Sequence, residues 1–196
     1  PFGFVHNGIS GHDALLITEN GGRIVRTTGY ADRQNLESYN AVVKLTAEGS
    51  AKVTTKKSCR YRIFDMYDDF STTKPAEQND LLREGIKLAH ATVSGINFRE
   101  EKTADPVLDI NFVWDTNNYG TRTVTRLFVP VNPFRNGFSN LKKNNRTRNI
   151  KNYNGYYDAD TIELQIPEGY EIESVPANVQ LETEFGTYEL KLDINA

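Results

Sequence analysis

The chain is poor in the residues that build disulfides, metal sites and membrane helices. It holds one Cys, one Trp, one Met and three His among its 196 residues. A single cysteine excludes an intramolecular disulfide. No run approaches the roughly eighteen apolar residues that a membrane helix needs, so no membrane span is expected. The sequence also has no glycine-rich phosphate loop, no nucleophile elbow and no metal-binding helix motif.

The start of the chain carries its own expectation. It begins at Pro1 without an initiator Met, and no secretory signal segment is visible. We therefore expect a piece of a longer or processed protein. On that expectation the missing signal segment carries no information about the compartment.

Charge is nearly balanced over the whole chain, with one local exception. The net charge is −3 and charged residues make up 25 % of the chain, so no overall field attracts nucleic acid. Residues 132–157, however, hold six basic residues interleaved with Asn and no acid (Arg135, Lys142, Lys143, Arg146, Arg148 and Lys151). This composition predicts a long or partly disordered solvated loop, which we favour over a nucleic-acid contact. Asn145 begins a glycosylation triplet of a kind common by chance.

The residues that are abundant favour strands. Ten Tyr and ten Phe are present, and apolar and polar side chains alternate from Thr161 to Ile194 in four short runs. Alternation at period two is typical of strands with one buried and one solvated face. Pro167-Glu-Gly169, Pro176-Ala-Asn178 and Phe185-Gly-Thr187 separate the runs. The pattern predicts an antiparallel β-meander at this end of the chain.

Two hairpins are predicted near the beginning. The Asn20-Gly21-Gly22 turn joins strands over residues 14–18 and 23–27. A second turn at residues 48–50 joins a strand ending near Ala47 to a strand that alternates from Ala51 to Ile63. Lys57 interrupts the inward-facing set of that strand, which predicts a sheet edge or a bulge there.

One helix is expected between the hairpins and the later strands. Leu82, Ile86, Ala89 and Val93 form a single helical stripe, and Pro75 suits a first helical turn. Strands follow over residues 108–114 and 122–131. The fold class is therefore mainly β, an antiparallel β-sandwich with one α-helix at about residues 75–94.

The domain organisation follows from these elements. Residues 1–35 are expected to be an N-terminal segment with a short hairpin that continues from an upstream domain. Residues 36–154 are expected to be the β-sandwich with its helix. Residues 155–196 are expected to be the C-terminal β-meander, packed on the same sandwich.

Cys59, His90 and Asp105 or Asp109 occur in the chain order of a thiol-type catalytic triad. A reactive thiol needs a helix N-terminus or a nearby cation to stabilise its thiolate. Cys59 lies in the middle of a strand on its apolar side, an environment that raises a thiol pKa. We therefore interpret Cys59 as a buried structural residue, and predict no catalytic residue in this chain.

Two other groups resemble metal sites only loosely. His6 and His12, with Asp13 beside the second, lack the third and fourth ligands of a zinc site. Asp65, Asp68 and Asp69 crowd one turn but do not have the spacing of a calcium-binding loop. We predict no metal and no cofactor.

An aromatic cluster is the best candidate for ligand binding. Tyr153, Tyr156 and Tyr157 lie close together with Asn and Gly between them, and Trp114 is the one tryptophan. Sugars stack on aromatic rings, so these four residues are the expected binding site if the chain is a carbohydrate-binding β-sandwich. The competing interpretation is a loop whose tyrosines pack at a strand edge.

Both ends of the chain resemble part of a known group of proteins. PFGF at residues 1–4, followed by ALLITENGGRIVRT at residues 14–27, is similar to the segment that follows a transglutaminase-like core in exported bacterial multidomain proteins. The run at residues 158–190 resembles the C-terminal domain of unknown function of the same proteins, with DADTIELQIPEGYEIESVPANVQLETEFGTYEL.

The resemblance implies a role without chemistry in this chain. Any catalytic Cys, His and Asp would belong to the core upstream of Pro1, and Cys59 does not match the helix-start context of that core's nucleophile. The chain is then a non-catalytic accessory β-domain in the periplasm or at the cell surface. Its expected partner is the upstream core, with a glycan or another protein as further partners, and nucleic acid is not expected.

Overall fold

The computed structural model describes residues 1–134, 147 and 155–194. The fold is mainly β with one main helix, as predicted. Most of the basic segment, the glycosylation triplet at Asn145 and the candidate site residue Tyr153 lie outside the described residues. The strands are β1 (Asp13–Thr18), β2 (Gly21–Arg26), β3 (Leu36–Leu45), β4 (Ala51–Arg60), β5 (Thr92–Glu101), β6 (Val107–Thr116), β7 (Thr121–Arg122), β8 (Leu127–Phe128), β9 (Tyr157–Asp158), β10 (Thr161–Gln165), β11 (Val179–Thr183) and β12 (Gly186–Leu190).

A six-stranded sheet is the centre of the molecule. Its strand order is β10-β3-β4-β6-β5, and β9 pairs with the beginning of β3. The three long pairings, β3 with β4, β4 with β6 and β6 with β5, are antiparallel. Alternation along much of these strands gives the sheet one apolar face and one more polar face, while residues 57–59 of β4 and 107–110 of β6 are buried without alternating.

The apolar face of the sheet carries the core. Val43, Val53, Leu108, Ile110 and Trp114 are completely buried on it. The layer over this face contains two helices, α1 (Arg62–Met66) and α2 (Pro75–Glu84), together with the segment that ends at Phe134. A short 3-10 helix, Asp32–Gln34, precedes β3.

The main helix begins where the sequence predicts and ends earlier. Pro75 occupies its first turn, but the helix stops at Glu84 instead of continuing to residue 94. Gly85 lies directly against the Tyr39 hydroxyl, since a Cβ at Gly85 would be 2.9 Å from that oxygen. Ile86 then forms a β-bridge with Phe134, and β5 begins at Thr92. The apolar residues of the predicted stripe are therefore divided between a helix, a loop and a strand.

The prediction of a sheet edge or bulge at Lys57 is wrong. Lys57 lies in β4, between β3 and β6, and it pairs in register with both Tyr39 and Ile110. The irregularity in the sheet is instead in the edge strand β5, between Ser94 and Asn97. Lys57 interrupts the apolar pattern because a charged side chain is buried there.

The C-terminal residues pair differently from a simple meander. The strand β10 runs parallel to β3, with Ile162 opposite Ala41 and Leu164 opposite Val43. Only β11 and β12 form the antiparallel hairpin expected of a meander. The predicted strand over residues 122–131 is replaced by the short pair β7 and β8. A parallel pairing cannot be distinguished from an antiparallel one by alternation alone, because both bury every second residue.

Two hairpins form sheets of their own. β1 and β2 pair with each other around a turn at residues 19–20, close to the predicted turn, and β11 and β12 do the same around residues 184–185. We call them the N-terminal hairpin and the C-terminal hairpin. Within the described part of the chain, no helix has the length and apolar character needed to cross a bilayer.

Candidate functional site

Of the predicted aromatic site, the structure describes Trp114, Tyr156 and Tyr157, and Trp114 does not lie at the surface with the two tyrosines. Trp114 is completely buried, donates its Nε1 proton to Thr55 Oγ1 at 3.1 Å and stacks on Tyr119. An indole held inside the core has no ring face to offer a sugar. Tyr156 and Tyr157 lie at the surface with 37 % and 38 % of their area exposed.

These two tyrosines do not form one platform. Tyr157 is the first residue of β9, and adjacent residues of an extended chain point to opposite sides. The Arg33 guanidinium lies 5.2 Å from the centre of the Tyr157 ring, so it already covers one face of that ring. The pair is therefore a much smaller ligand surface than the four-residue cluster that the sequence suggests.

The residues of the candidate thiol triad are kept apart. Cys59 has no exposed surface, and burial raises the pKa of its thiol to about 12. Asp109 pairs in register with Ser58, one residue before Cys59, so its side chain points to the opposite face of the sheet. Asp105 and His90 both lie at the exposed surface. A thiol in this environment stays protonated and is inert as a nucleophile.

Several of the candidate metal residues take part in hydrogen bonds and side-chain contacts of an ordinary kind. His6 Nε2 lies 3.2 Å from Asp65 Oδ2, which also accepts a hydrogen bond from the Asn7 backbone at 3.0 Å. The Asp68 carboxylate lies 3.2 Å from Lys102 Nζ. No group of three or more His, Cys, Asp or Glu suited to a metal ion occurs among the described residues.

Lys57 is a buried lysine at the centre of a polar cluster. Its Nζ donates to Glu37 Oε1 at 2.5 Å, to the Tyr39 hydroxyl at 2.7 Å and to the Tyr67 hydroxyl at 2.8 Å. It also lies 4.8 Å and 4.4 Å from the centres of the same two rings. β3 supplies Glu37 and Tyr39, β4 supplies Lys57, and Tyr67 follows α1.

The cluster keeps its lysine charged. Burial has the largest influence on Lys57 and lowers the pKa of its ammonium, but the electrostatic influence of Tyr39, Cys59, Tyr67 and Glu37 together raises that pKa well above its ordinary value. Of these four groups, the Glu37 carboxylate is the one that carries a negative charge near neutral pH. Burial raises the pKa of Tyr39 and of Tyr67, so both phenols are neutral and accept hydrogen bonds from the ammonium. All three protons of Lys57 are therefore used inside the protein, and the cluster fastens β3, β4 and the end of α1 together.

Residues 157–160, which include β9, lie beside this cluster. Asp158 lies opposite Glu37 in the parallel pairing of β9 with β3. Burial, followed by the nearby carboxylates of Glu37 and Asp160, raises the pKa of Asp158 to about 6. Asp160 accepts hydrogen bonds from the Tyr39 backbone at 3.0 Å and from Asn132 Nδ2 at 2.7 Å.

Sequence reasoning missed this cluster although one signal was present. An inward-facing lysine in an otherwise apolar strand indicates a buried charge that needs partners. The partners come from β3 and from the residue after α1, and strand pairing, which the sequence does not display, brings them together. Because all three protons of Lys57 are donated within the protein, we interpret the cluster as structural.

The surface offers a second kind of site, since both hairpins expose apolar faces. Leu15, Ile17 and Ile24 share one face of the N-terminal hairpin and are 61 %, 79 % and 70 % exposed. In the C-terminal hairpin Leu181 lies opposite Tyr188, and both are more than half exposed. None of these five residues belongs to the buried core.

Exposure of this kind is uncommon for a folded chain by itself. Single exposed apolar residues are normal, but a face of several is typical of a surface that contacts another molecule. Two-stranded hairpins are also marginal in water unless they pack on something else. The hairpin faces are therefore the candidate interaction surfaces of this protein.

Comparison with known proteins identifies one segment. Residues 125–196 match a family described as a domain of unknown function with a solved structure, DUF3858. The matched segment contains β8 to β12 and Phe134, and so contributes both to the central sheet and to the C-terminal hairpin. Comparison with curated proteins and with solved structures gave no match.

Proposed function

We propose that this chain is a non-catalytic accessory β-domain of an exported transglutaminase-like protein, and that it packs on the upstream core of that protein through its hairpins. The observation that carries the proposal is the exposed apolar face of each hairpin. The transglutaminase-like context and the periplasmic or cell-surface location rest on the resemblance of the two chain ends. The match of residues 125–196 to a family of unknown function is compatible with that context.

The polar chemistry of the chain supports a role without catalysis. The single thiol is buried with a raised pKa, and the buried lysine has all of its donors engaged. Neither group can act on a substrate from solvent while the fold is intact. An interaction role, in contrast, needs only the exposed faces that the hairpins provide.

A complementation experiment tests the proposal. The chain and the upstream part of its parent polypeptide are expressed as two separate proteins and mixed, and their association is measured by size-exclusion chromatography with light scattering. We expect a one-to-one complex that Ile17→Glu and Leu181→Glu both weaken, because each change places a charge in an apolar interface.

Met66→Glu is the matched control. Met66 is an exposed apolar residue at the end of α1, outside both hairpins. Its change should leave the complex intact. Absence of any complex, or equal weakening by Met66→Glu, would contradict the proposal.

The alternative function is a carbohydrate-binding module that uses Tyr156 and Tyr157. Their partial exposure is the observation that favours it. Sugar binding on a glycan array that is lost on Tyr156→Ala would support this alternative. An array with no signal would leave the accessory role as the better proposal.

A further inference from the structure

The C-terminal hairpin has two chemically different faces. Val179, Leu181, Tyr188 and Leu190 share one face, because the register pairs Val179 with Leu190 and Leu181 with Tyr188. The other face carries the residues between them, two of which are glutamates (Gln180, Glu182, Thr187 and Glu189). Each strand therefore alternates between an apolar and an acidic or polar residue.

The hairpin and the residues that adjoin it in the chain are acidic. Residues 178–194 contain three Glu, one Asp and a single basic residue, Lys191. The net charge of these 17 residues is therefore −3, equal to that of the whole 196-residue chain. Lys191 Nζ is already 2.7 Å from Glu189 Oε1, and the hairpin tip carries Glu184 beside the exposed Phe185. A partner of this surface must tolerate a concentrated negative field.

The hairpin also has open edges among the described residues. β11 and β12 form a two-stranded sheet of their own, so within residues 1–134, 147 and 155–194 each of them has a neighbouring strand on one side only. An unpaired strand edge presents backbone N–H and C=O groups that another strand can pair with. A third strand would also stabilise a two-stranded sheet that is marginal by itself.

We propose that the C-terminal hairpin accepts, as a third strand, an extended protein segment that alternates apolar and basic residues. This inference rests on the proposed accessory function and specifies its partner. An added strand continues the alternation of the sheet, so its apolar residues extend the face of Leu181 and Tyr188. Its Lys or Arg residues then lie on the face of Glu182 and Glu189, where cross-strand pairs of opposite charge are favourable.

The charge of the surface decides between this partner and two others. An anionic membrane would also cover an apolar face, but the acidic residues repel it. Single-stranded nucleic acid would stack on Tyr188 and Phe185, but its phosphates meet the same field. Of the three partners, only a protein segment with both apolar and basic side chains matches the apolar face and the acidic face of the hairpin.

A labelled synthetic peptide of alternating Leu and Lys is the probe. Its binding to the full chain is measured by fluorescence polarisation at low and at high salt, beside a Leu–Glu peptide of the same length. We expect the Leu–Lys peptide to bind, the Leu–Glu peptide not to bind, and salt to weaken the complex. Leu181→Ser and Glu182→Lys should each reduce the affinity by about tenfold.

Ile17→Ser in the N-terminal hairpin is the matched control, because it removes an exposed apolar residue from a hairpin without a comparable acidic surround. It should leave peptide binding unchanged. Circular dichroism of each variant establishes that the fold is retained, and Glu189→Lys replaces Glu182→Lys if that variant fails to fold. Equal binding of both peptides, no loss with Leu181→Ser and either Glu variant, or preferential binding to anionic vesicles would overturn the inference.

The two proposals can fail separately. If the peptide does not bind but the chain still forms its complex with the upstream core, this inference is wrong and the accessory function stands. If the peptide binds as expected and the core does not, the hairpin accepts a basic strand from a different protein and the proposed core partner is wrong.

Discussion

Lys57 is a buried charged side chain whose hydrogen-bond partners all come from the protein. A buried charge is tolerated only when its partners replace the water that it loses. Here a carboxylate and a phenol from β3, together with a phenol from the residue after α1, do so. The same region contains Asp158, whose charge is poorly accommodated beside Glu37 and Asp160.

Replacing the buried lysine should be costly. Lys57→Met leaves Glu37, Tyr39 and Tyr67 without their shared donor, and we expect a loss of about 3 kcal/mol in the free energy of unfolding. Lys56→Met is the matched control, because Lys56 is the preceding residue of β4, is half exposed, and lies 3.6 Å from Asp109. It should cost less than about 1 kcal/mol. Urea denaturation measures both, and equal losses would show that burial of Lys57 is not the cause.

Asp158 should make stability depend on pH. Its pKa in the folded protein is about 6, above the ordinary value of 3.8. The folded protein therefore binds the Asp158 proton more tightly than the unfolded chain does. The stability that this proton contributes is fully present below the pKa of Asp158 in the unfolded chain, and it is lost as the pH rises through the pKa of Asp158 in the folded protein. Asp158→Asn removes the charge, so we expect it to stabilise the protein at pH 8 by on the order of 1 kcal/mol, a figure discounted for partial solvent exposure.

The same substitution should have little effect at pH 4. Below the folded pKa the wild-type carboxyl is protonated and neutral, as the asparagine amide is. Asp193→Asn, at an exposed position near the end of β12, should change stability little at either pH. Thermal melts at the two pH values measure the difference, and a gain from Asp158→Asn that is equal at both would contradict the assignment.

At the scale of elements, turns determine how the central strands meet. Gly49 lies in the turn between β3 and β4 with a φ of +91°, and its carbonyl accepts a hydrogen bond from the Gly120 backbone at 2.9 Å. A Cβ at Gly49 would lie 2.7 Å from the Gly120 carbonyl oxygen. The turn is therefore constrained both by its backbone conformation and by the close approach of the β6–β7 loop.

Gly49→Ala separates these two constraints when it is compared with Gly21→Ala. Gly21 also has a positive φ, +107°, but nothing lies within 4 Å of its Cβ position. We expect Gly21→Ala to cost about 1 kcal/mol from backbone strain alone. Gly49→Ala should cost about 2–3 kcal/mol, because Gly120 must also move. Chemical denaturation of the two variants tests this, and equal costs would mean that the Gly120 contact is unimportant.

At the scale of the whole molecule, the C-terminal residues have two separate roles. β9 and β10 pair with β3 in the central sheet, and Ile162 and Leu164 pack against the core. Among the described residues, the buried core includes none from the C-terminal hairpin. The segment that matches the family of unknown function therefore includes both a structural part and an exposed part.

Truncation should reveal this division. Removing residues 178–196 deletes the C-terminal hairpin and retains Tyr170, whose hydroxyl donates to the Ala47 carbonyl at 3.2 Å. We expect the melting temperature to change by less than about 4 °C, because little buried apolar area is lost. Removing residues 155–196 also takes away β9 and β10 and should lower it by about 10 °C or unfold the chain. Differential scanning calorimetry measures both, and a large loss from the shorter truncation would show that the hairpin supports the core.

Much of the architecture was already determined by the amino-acid sequence. Alternation of apolar and polar residues is a local property, so it located β4, β6 and the second half of β3, together with the buried side of Cys59. Pro75 marked the start of the helix, and the Asn-Gly-Gly turn marked the N-terminal hairpin. These features depend on neighbours within a few residues, which sequence reasoning can use directly. The strand β5 was not predicted, because Val93 was assigned to the helical stripe.

Only the tertiary structure decided which elements meet. It placed β10 parallel to β3, buried Trp114 where a ligand residue was predicted, ended the helix at Gly85 against Tyr39, and surrounded Lys57 with its three acceptors. Each of these outcomes depends on contacts between residues that are distant in the chain. No local pattern of residues reveals such contacts, because they form and contribute to stability only when the strands have paired.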